Sequence, residues 1–186
     1  MKRMFVSVAV LLGLAFAATM VNSTAKAEEF DSRIQQGLVI APVKLKLHGL
    51  NPVLVGLGSY IVNAQGGCND CHTNPPYAEN HDPFTGARER INKAGYLAGG
   101  VAFGPFTSRN ITPRGADRLP AGLTLREFKE TLRRGTDLKN RHPEISPLLQ
   151  VMPWPVYGNM TDRDLESVYE YLRAIPCVGS ADRCGN

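Results

Sequence analysis

The sequence predicts a mainly α-helical domain. Apolar residues recur at helical spacing in three segments, each bounded by residues that start or stop helices, and no run of alternating strands is visible. The first helix is expected to begin near Pro52 and to end at Gly66 and Gly67. Gly56 and Gly58 would let another helix approach it closely. The apolar positions of this first helix are Leu54, Leu57, Tyr60 and Ile61.

The second and third helices carry clear capping signals. A capping box begins at Thr124, and the helix that it starts is expected to end at Gly135. Thr161 caps the third helix and Pro176 stops it. The apolar stripes are Leu125, Phe128 and Leu132 in the second helix, and Leu165, Val168, Leu172 and Ile175 in the third.

The N-terminus predicts export from the cytoplasm. Lys2 and Arg3 precede an apolar run, and small residues follow at Ala25 and Ala27. This pattern is typical of a secretory signal peptide over residues 1–27, cleaved after Ala27, and predicts a periplasmic protein. An uncleaved membrane anchor is the alternative, because the apolar run is a little long for a signal.

The charge of the exported chain argues against nucleic acid as a partner. The 186 residues include 21 basic and 17 acidic side chains, but Lys2, Arg3 and Lys26 would leave with the signal peptide. The remaining chain is nearly neutral, whereas nucleic-acid binding requires a basic stripe. Its length fits one domain, and no internal repeat is visible.

The motif CNDCH at residues 68–72 is the strongest chemical signal in the chain. A structural zinc site commonly uses two Cys-x-x-Cys pairs, and the second cysteine pair here has a poorly matching Cys-x6-Cys spacing. A thioredoxin-like motif belongs in a βαβ pattern, which is not visible. Cys-x-x-Cys-His is the attachment signature of c-type haem. We therefore expect one haem c, bound covalently through Cys68 and Cys71, with His72 as the proximal iron ligand.

The other two cysteines, Cys177 and Cys184, follow the third helix. In an oxidising compartment a disulfide that closes this short loop is the simplest interpretation, and a functional thiol pair is the alternative.

The chain resembles class I cytochromes c, in which the N- and C-terminal helices cross around the haem. Its segments YIVNAQGGCNDCHT, YLAGG, SRNITP, AGLTLREF, PLLQVMPWPVY and NMTDRDLESVYEYLRAIP look like the cytochrome domains of membrane alcohol, gluconate and fructose dehydrogenases, and like their single-haem relatives. The resemblance covers roughly residues 52–177. It implies a cytochrome c domain over 52–186. Residues 28–51 fall outside the resemblance and are interpreted as an N-terminal extension that packs on the domain or serves as a docking strand.

Two methionines compete for the distal side of the iron. Met160 directly precedes the third helix, where the resembling domains keep a methionine, and it is the favoured ligand. Met152, in a Met-Pro-Trp-Pro sequence, is the alternative, and core packing is expected for whichever does not bind. His142 could also be a ligand, although a surface or propionate contact is favoured for it. His48 and His81 are expected to be ordinary loop residues.

Other residues are expected to shape the haem crevice. The resemblance implies that Arg109, Asn110 and Thr112 lie in a loop near the haem edge, where they could hydrogen-bond a propionate. A simple turn is an equal alternative for this segment. Trp154 and Tyr157 are expected to wall the distal side, with core packing as the alternative.

The expected ligation predicts an electron carrier rather than an enzyme. Histidine and methionine together fill both axial positions and raise the reduction potential. The sequence has no second Cys-x-x-Cys-His, no flavin or quinone fingerprint and no acid–base constellation. The expected partners are a dehydrogenase as donor and an oxidase or another cytochrome as acceptor, with membrane-complex association possible. The alternatives are a haem enzyme or gas-binding protein with an open distal position, and a fixed relay subunit of a larger respiratory complex.

Overall fold

The computed structural model describes residues 32–137 and 146–185. The described part is mainly helical, which confirms the predicted class. The predicted signal peptide over 1–27 and the candidate ligand His142 lie outside the described residues. None of the helices in the described ranges has the length and hydropathy that a membrane crossing requires.

Seven α-helices lie in the described ranges. They are α1 (32–40), α2 (Pro52–Tyr60), α3 (Cys68–His72), α4 (Leu125–Arg134), α5 (Trp154–Tyr157), α6 (Asp162–Ala174) and α7 (Ala181–Cys184). A π-helical turn over Ile61–Gln65 follows α2, and a 3-10 turn covers Pro83–Thr85.

The described residues also contain two small antiparallel hairpins. Strand β1 (Ala102–Phe103) pairs with β2 (Phe106–Thr107), and β3 (Pro113–Arg114) pairs with β4 (Leu119–Pro120). Each strand has two residues, which is too short to produce an alternating pattern in the sequence.

The capping signals predicted two of the helices correctly. Thr124 and Glu127 form the expected capping box of α4, which ends at Gly135 with a left-handed φ of 67°. Thr161 and Asp164 form a second capping box at the start of α6. In both boxes the threonine hydroxyl accepts a backbone hydrogen bond and the carboxylate caps the threonine N–H.

The first predicted helix differs from expectation at its C-terminal end. It starts at Pro52, capped by the side chain of Asn51, but the regular α-helix ends at Tyr60. The chain continues as the π-turn, which Gly66 closes by donating its N–H to the carbonyl of Ile61 at 2.7 Å. Gly67 then takes a left-handed φ of 58° and starts α3.

Helices α2 and α6 are in backbone contact. A Cβ atom on Gly58 would lie 1.9 Å from the carbonyl oxygen of Ser167 and 2.8 Å from the Cβ of Tyr171. Only glycine allows this distance, so the close approach predicted for Gly58 is confirmed.

Helix α1 packs on the opposite side of α2 through a second glycine pair. A Cβ atom on Gly37 would lie 1.9 Å from the carbonyl oxygen of Gly56. The hydroxyl of Ser59 donates a 2.6 Å hydrogen bond to the carbonyl of Gly37, and Ile34 belongs to the buried core. Residues 32–40 of the N-terminal extension therefore form a helix that packs on α2, rather than a strand, and a docking role for the extension stays a prediction.

Candidate cofactor site

A large cavity opens between α3, the loop before β3, helices α4 and α6, and the chain segment 146–153. It contains about 1590 Å³ of atom-free space, counting its open mouth. Much of its wall is apolar, including Ile61, Val62, Phe128, Leu132, Val168 and Leu172. An apolar cavity with a few polar groups is the usual form of a cofactor site.

The three residues of the CNDCH motif that carry the chemistry all line this cavity. Cys68 and Cys71 are one turn apart on α3, so their side chains lie on one face of the helix. Cys68 is half-buried and Cys71 is exposed. The Cys177–Cys184 pair lies elsewhere, with the two sulfurs at disulfide distance, so Cys68 and Cys71 are the free thiols of the described residues.

The environment keeps both free thiols protonated. Burial raises the pKa of Cys68 to about 12, with a smaller contribution from neighbouring Cys71. Burial also raises the pKa of Cys71, and Asp70 adds to this shift. Thiol redox motifs work with lowered cysteine pKa values, so these directions do not favour disulfide exchange.

His72 is held in one tautomer by a backbone carbonyl. Its Nδ1 lies 2.8 Å from the carbonyl oxygen of Arg109. A carbonyl can only accept, so Nδ1 carries the proton and Nε2 keeps its lone pair. Burial lowers the pKa of His72, which favours the neutral ring. A neutral imidazole with one nitrogen fixed by a hydrogen bond is the usual state of a metal-binding histidine.

The Arg109 carbonyl is positioned by the segment 97–99. Gly99 takes a left-handed φ of 74°, and a Cβ atom there would lie 2.4 Å from the carbonyl carbon of Arg109. The N–H of Gly99 donates to the carbonyl of His72 at 2.6 Å, and the N–H of Ile111 donates to that of Leu97 at 3.0 Å. These contacts join α3 to the loop that carries Arg109.

Arg109 and Asp137 place an ion pair in the cavity wall. The guanidinium of Arg109 binds the carboxylate of Asp137, whose side chain is 4% exposed, and both residues line the cavity. A propionate at this position would meet a cation and an anion together. The expectation that Arg109 binds a propionate stays a prediction.

Three other candidate residues are not part of the cavity lining. Asn110 and Thr112 hydrogen-bond each other and the C-terminal segment. Trp154 packs its ring on Gly135 and donates from Nε1 to the carbonyl of Leu149 at 3.1 Å. Direct haem contacts by these three residues stay predictions.

Both candidate distal ligands reach the cavity. Met152 and Met160 line it, and both are partly buried against the core. Tyr157, which lies between them in the chain, also lines the cavity and donates from its hydroxyl to the carbonyl of Gly66 at 2.9 Å. The choice between the two thioethers stays a prediction.

No acidic or histidine cage adds to this site. In the ranges 32–137 and 146–185, no three His, Cys, Asp or Glu side chains gather closely enough to hold a metal ion. The candidate site consists instead of two thiols, one imidazole and two thioethers around an apolar cavity.

Comparison with known proteins gives a weak relationship to a cytochrome. The chain is 29% identical over 122 residues to a protein from Gluconobacter japonicus described as a fructose dehydrogenase cytochrome subunit. The match covers 63% of this chain but 20% of that relative, so the chain spans about a fifth of the relative's length. No protein-family model matches the chain, and no solved structure matches it.

The sequence did not single out two residues that shape the site. Asp137 carries no motif, and its partner Arg109 is 28 residues away. Gly99 lies in the segment YLAGG, which the family resemblance includes, but the resemblance does not say what the glycine touches. The Gly-Gly pair at the end of this segment could have indicated a close backbone contact there, because glycine permits close approach.

Proposed function

We propose that this chain is a periplasmic monohaem c-type cytochrome that carries single electrons between redox proteins. The observation that supports this most is the placing of Cys68, Cys71 and the neutral His72 on one short helix, facing one apolar cavity. The similarity to a cytochrome subunit supports it independently.

The residues around the cavity fit a covalently bound haem. Two protonated thiols on one helix face are suited to addition across two vinyl groups. The Nε2 lone pair of His72 is available because Nδ1 is occupied by the Arg109 carbonyl. Apolar side chains from α4 and α6 would cover the faces of a porphyrin, and Met152 or Met160 would supply a thioether.

The chain's own part is to bind, orient and exclude water. When bound, the haem would supply a one-electron iron couple, and histidine–methionine ligation raises its potential. The Arg109 carbonyl fixes the imidazole, and the apolar wall limits solvent access, which also tunes the potential. If His72 and one of the two methionines both held the iron, the haem would have no vacancy for a substrate, which would suit a carrier rather than an enzyme.

The proposed partners are redox proteins. The relative is described as a subunit of a fructose dehydrogenase, which favours a dehydrogenase as electron donor. An oxidase or another cytochrome is proposed as acceptor. The same relative's description as a subunit also favours a fixed relay within a larger complex as the second candidate.

The distal ligand can be tested with two matched variants. We expect Met160→Ala to remove the far-red band of an iron–thioether bond and to let the reduced protein bind carbon monoxide. Met152→Ala, which removes a thioether from the same cavity, should keep the band and, like the wild-type protein, resist carbon monoxide. Absorption spectra of the oxidised and reduced proteins provide both readouts.

Two results would contradict this assignment. A band lost in Met152→Ala but kept in Met160→Ala would exchange the roles of the two methionines. Rapid carbon monoxide binding by the wild-type protein would favour a gas-binding or enzymatic haem.

A further inference from the structure

Beyond the proposed electron-carrier function, on which this inference rests, we propose that the C-terminal loop is a positioning element for His72. This loop, which we call the C-terminal clamp, comprises residues 177–185 and is closed by the Cys177–Cys184 disulfide. It fixes the peptide group that accepts the His72 hydrogen bond, and it thereby holds down the reduction potential of the iron.

The clamp binds the loop 110–112 from two directions. The Asn110 side-chain amide donates to the carbonyl of Val178 at 2.8 Å, and the Val178 N–H donates to the Thr112 hydroxyl at 3.2 Å. From the other end of the clamp, the guanidinium of Arg183 donates to the carbonyls of Asn110 and Thr112, each at 3.2 Å. The Arg183 carbonyl also accepts a 2.9 Å bond from the N–H of Gly115.

Hydrogen bonds between Asn110 and Thr112 also stabilise the loop 110–112 from within. The Asn110 side-chain oxygen accepts from the backbone N–H of Thr112 at 3.0 Å and from its hydroxyl at 2.6 Å. The Thr112 hydroxyl therefore donates to Asn110 while it accepts from Val178. Thr112 is completely buried, so leaving any of these groups unpaired would carry the desolvation penalty of a buried polar group.

The hydrogen-bonded loop 110–112 is connected to the His72 acceptor by one rigid peptide group. The Arg109 carbonyl and the Asn110 N–H belong to the same planar peptide group. This peptide group also contains the Cα of Asn110, so holding the side chain and carbonyl of Asn110 in place restricts the rotation of the Arg109 carbonyl that accepts from His72 Nδ1. The segment 97–99 also binds this loop, through the hydrogen bond from the Ile111 N–H to the Leu97 carbonyl, so the loop is held by both that segment and the C-terminal clamp.

The disulfide keeps both ends of the clamp in place. Val178 follows Cys177 and Arg183 precedes Cys184, so the two residues that bind the loop are neighbours of the cross-linked residues. Terminal residues fray unless they are tied down. The clamp is also packed tightly, because a Cβ atom on Gly185 would lie 2.7 Å from the backbone nitrogen of Ala116.

The positioning has an electronic consequence. A hydrogen bond from Nδ1 to a carbonyl makes the imidazole a more basic ligand, which favours the oxidised iron. Releasing the clamp should loosen this bond and shift the reduction potential in the positive direction. A role limited to stability would leave the potential unchanged.

The test compares haem-loaded variants. The double variant Cys177→Ser, Cys184→Ser removes the disulfide of the clamp. Thr112→Val removes the hydroxyl that binds Asn110 and Val178 and leaves the disulfide in place. Asn51→Ala is the control, because it removes the cap of α2, a 3.0 Å bond from the Val53 N–H, without touching the clamp. Intact mass first establishes that each protein carries haem. Proton NMR then gives the exchange rate of His72 Nδ1–H, and redox titration gives the potential.

Both clamp variants should exchange the His72 Nδ1–H proton roughly tenfold faster, as expected for a locally opened hydrogen bond, and should have a more positive potential. The control should change neither. Combining Thr112→Val with the open disulfide should add little, because the two changes act on the same network.

The possible failures are distinguishable. Haem-loaded clamp variants with unchanged exchange and potential would overturn the positioning role and leave the proposed function intact. Equal shifts in Asn51→Ala would also overturn it. If the double cysteine variant does not fold, Thr112→Val decides alone. A wild-type protein without covalent haem would overturn the proposed function and this inference with it.

Discussion

Gly58 sets the distance between α2 and α6. Its missing side chain lets the carbonyl of Ser167 come within 1.9 Å of where a Cβ atom would lie. Because Val168 and Leu172 of α6 line the cavity, the position of this contact also sets the position of the cavity wall. A single glycine therefore connects helix packing to the candidate site.

We expect Gly58→Ala to destabilise the protein by roughly 1–3 kcal/mol, as overpacked cores do. Helix propensity alone would make alanine more stable than glycine inside a helix, so the expected change in the free energy of unfolding has the opposite sign. Denaturant unfolding of the haem-loaded protein measures the change, and its absorption spectrum should also shift.

Gly37→Ala is the matched control. It meets the carbonyl of Gly56 at the same 1.9 Å, so it should also lower the stability. Its contact lies between α1 and α2, away from the cavity wall, so its spectrum should stay that of the wild type. A Gly58→Ala protein as stable as the wild type would contradict the role given to this contact.

The sequence grouped the three candidate haem-binding residues but did not predict their contacts. The CNDCH motif is local, so Cys68, Cys71 and His72 could be assigned together from spacing. The partner of His72 is a backbone carbonyl, and a carbonyl leaves no residue-type signature in a sequence. Asn110 and Thr112 were proposed as propionate contacts or as part of a turn; the structure shows them hydrogen-bonded to Val178 and outside the cavity lining, and the propionate contact stays a prediction.

Arg118 binds the C-terminal end of α6, where the Lys46 N–H also donates to the carbonyl of Ala174 at 2.8 Å. Arg118 donates from Nε to the carbonyl of Arg173 at 2.8 Å and from Nη2 to that of Ile175 at 2.7 Å. These carbonyls lack partners within the helix, as at every helix end. Arg118 takes a left-handed φ of 56° to reach them.

We expect Arg118→Ala to lower the free energy of unfolding by about 1–3 kcal/mol, because it leaves carbonyls of α6 unpaired. Arg118→Lys should recover part of this loss, since one ammonium cannot reproduce the fork of a guanidinium. Chemical denaturation measures both. Arg134→Ala, which removes an exposed arginine at the end of α4, is the control. An equal effect at both positions would contradict this capping role.

The N-terminal end of α6 is tied to α4 by charge. Asp162 receives a 2.8 Å hydrogen bond from Arg133, and Lys129 lies 3.8 Å away. The hydrogen bond from Arg133 lowers the pKa of Asp162, and the charge of Lys129 adds to this. Because the folded-state pKa lies below the unfolded one, the carboxylate stabilises the protein at pH above the unfolded value.

This stabilisation should disappear as the pH falls through the folded-state pKa of Asp162. We therefore expect Asp162→Asn to be less stable than the wild type at neutral pH and equally stable in strong acid. The effect should be small, because the pair is exposed and screened by salt. Melting temperatures across an acid pH series give the comparison, with Asp117→Asn as the exposed control. A difference that grows toward acid would have the wrong sign.

Helices could be predicted where capping residues bounded a segment whose apolar residues recur at helical spacing. This held for α4 and α6, whose threonine boxes are explicit in the sequence. Helix α1 was missed because Gly37 interrupts its pattern, and its stability comes from packing on α2 rather than from propensity. The π-turn after α2 was missed because nothing in its residues separates it from an ordinary helix end.

The cavity is a property of the whole molecule. Its lining comes from segments spread from Ile61 to Leu172, so no local pattern describes it. The sequence predicted that a methionine would face the haem, but the fold brings both Met152 and Met160 to the same cavity. Their selection depends on distances set by α5 and the loop before it, which spacing alone does not give.

The central claim is that Cys68 and Cys71 tether one haem. Intact-mass measurement of the purified protein after acid denaturation tests it most directly, with a Cys177→Ser, Cys184→Ser protein as the control for the other cysteine pair. We predict that both proteins keep their red pigment and weigh one haem more than the polypeptide, and that Cys68→Ala, Cys71→Ala loses this mass. A wild-type mass equal to that of the bare polypeptide, with the pigment washed away, would contradict the claim.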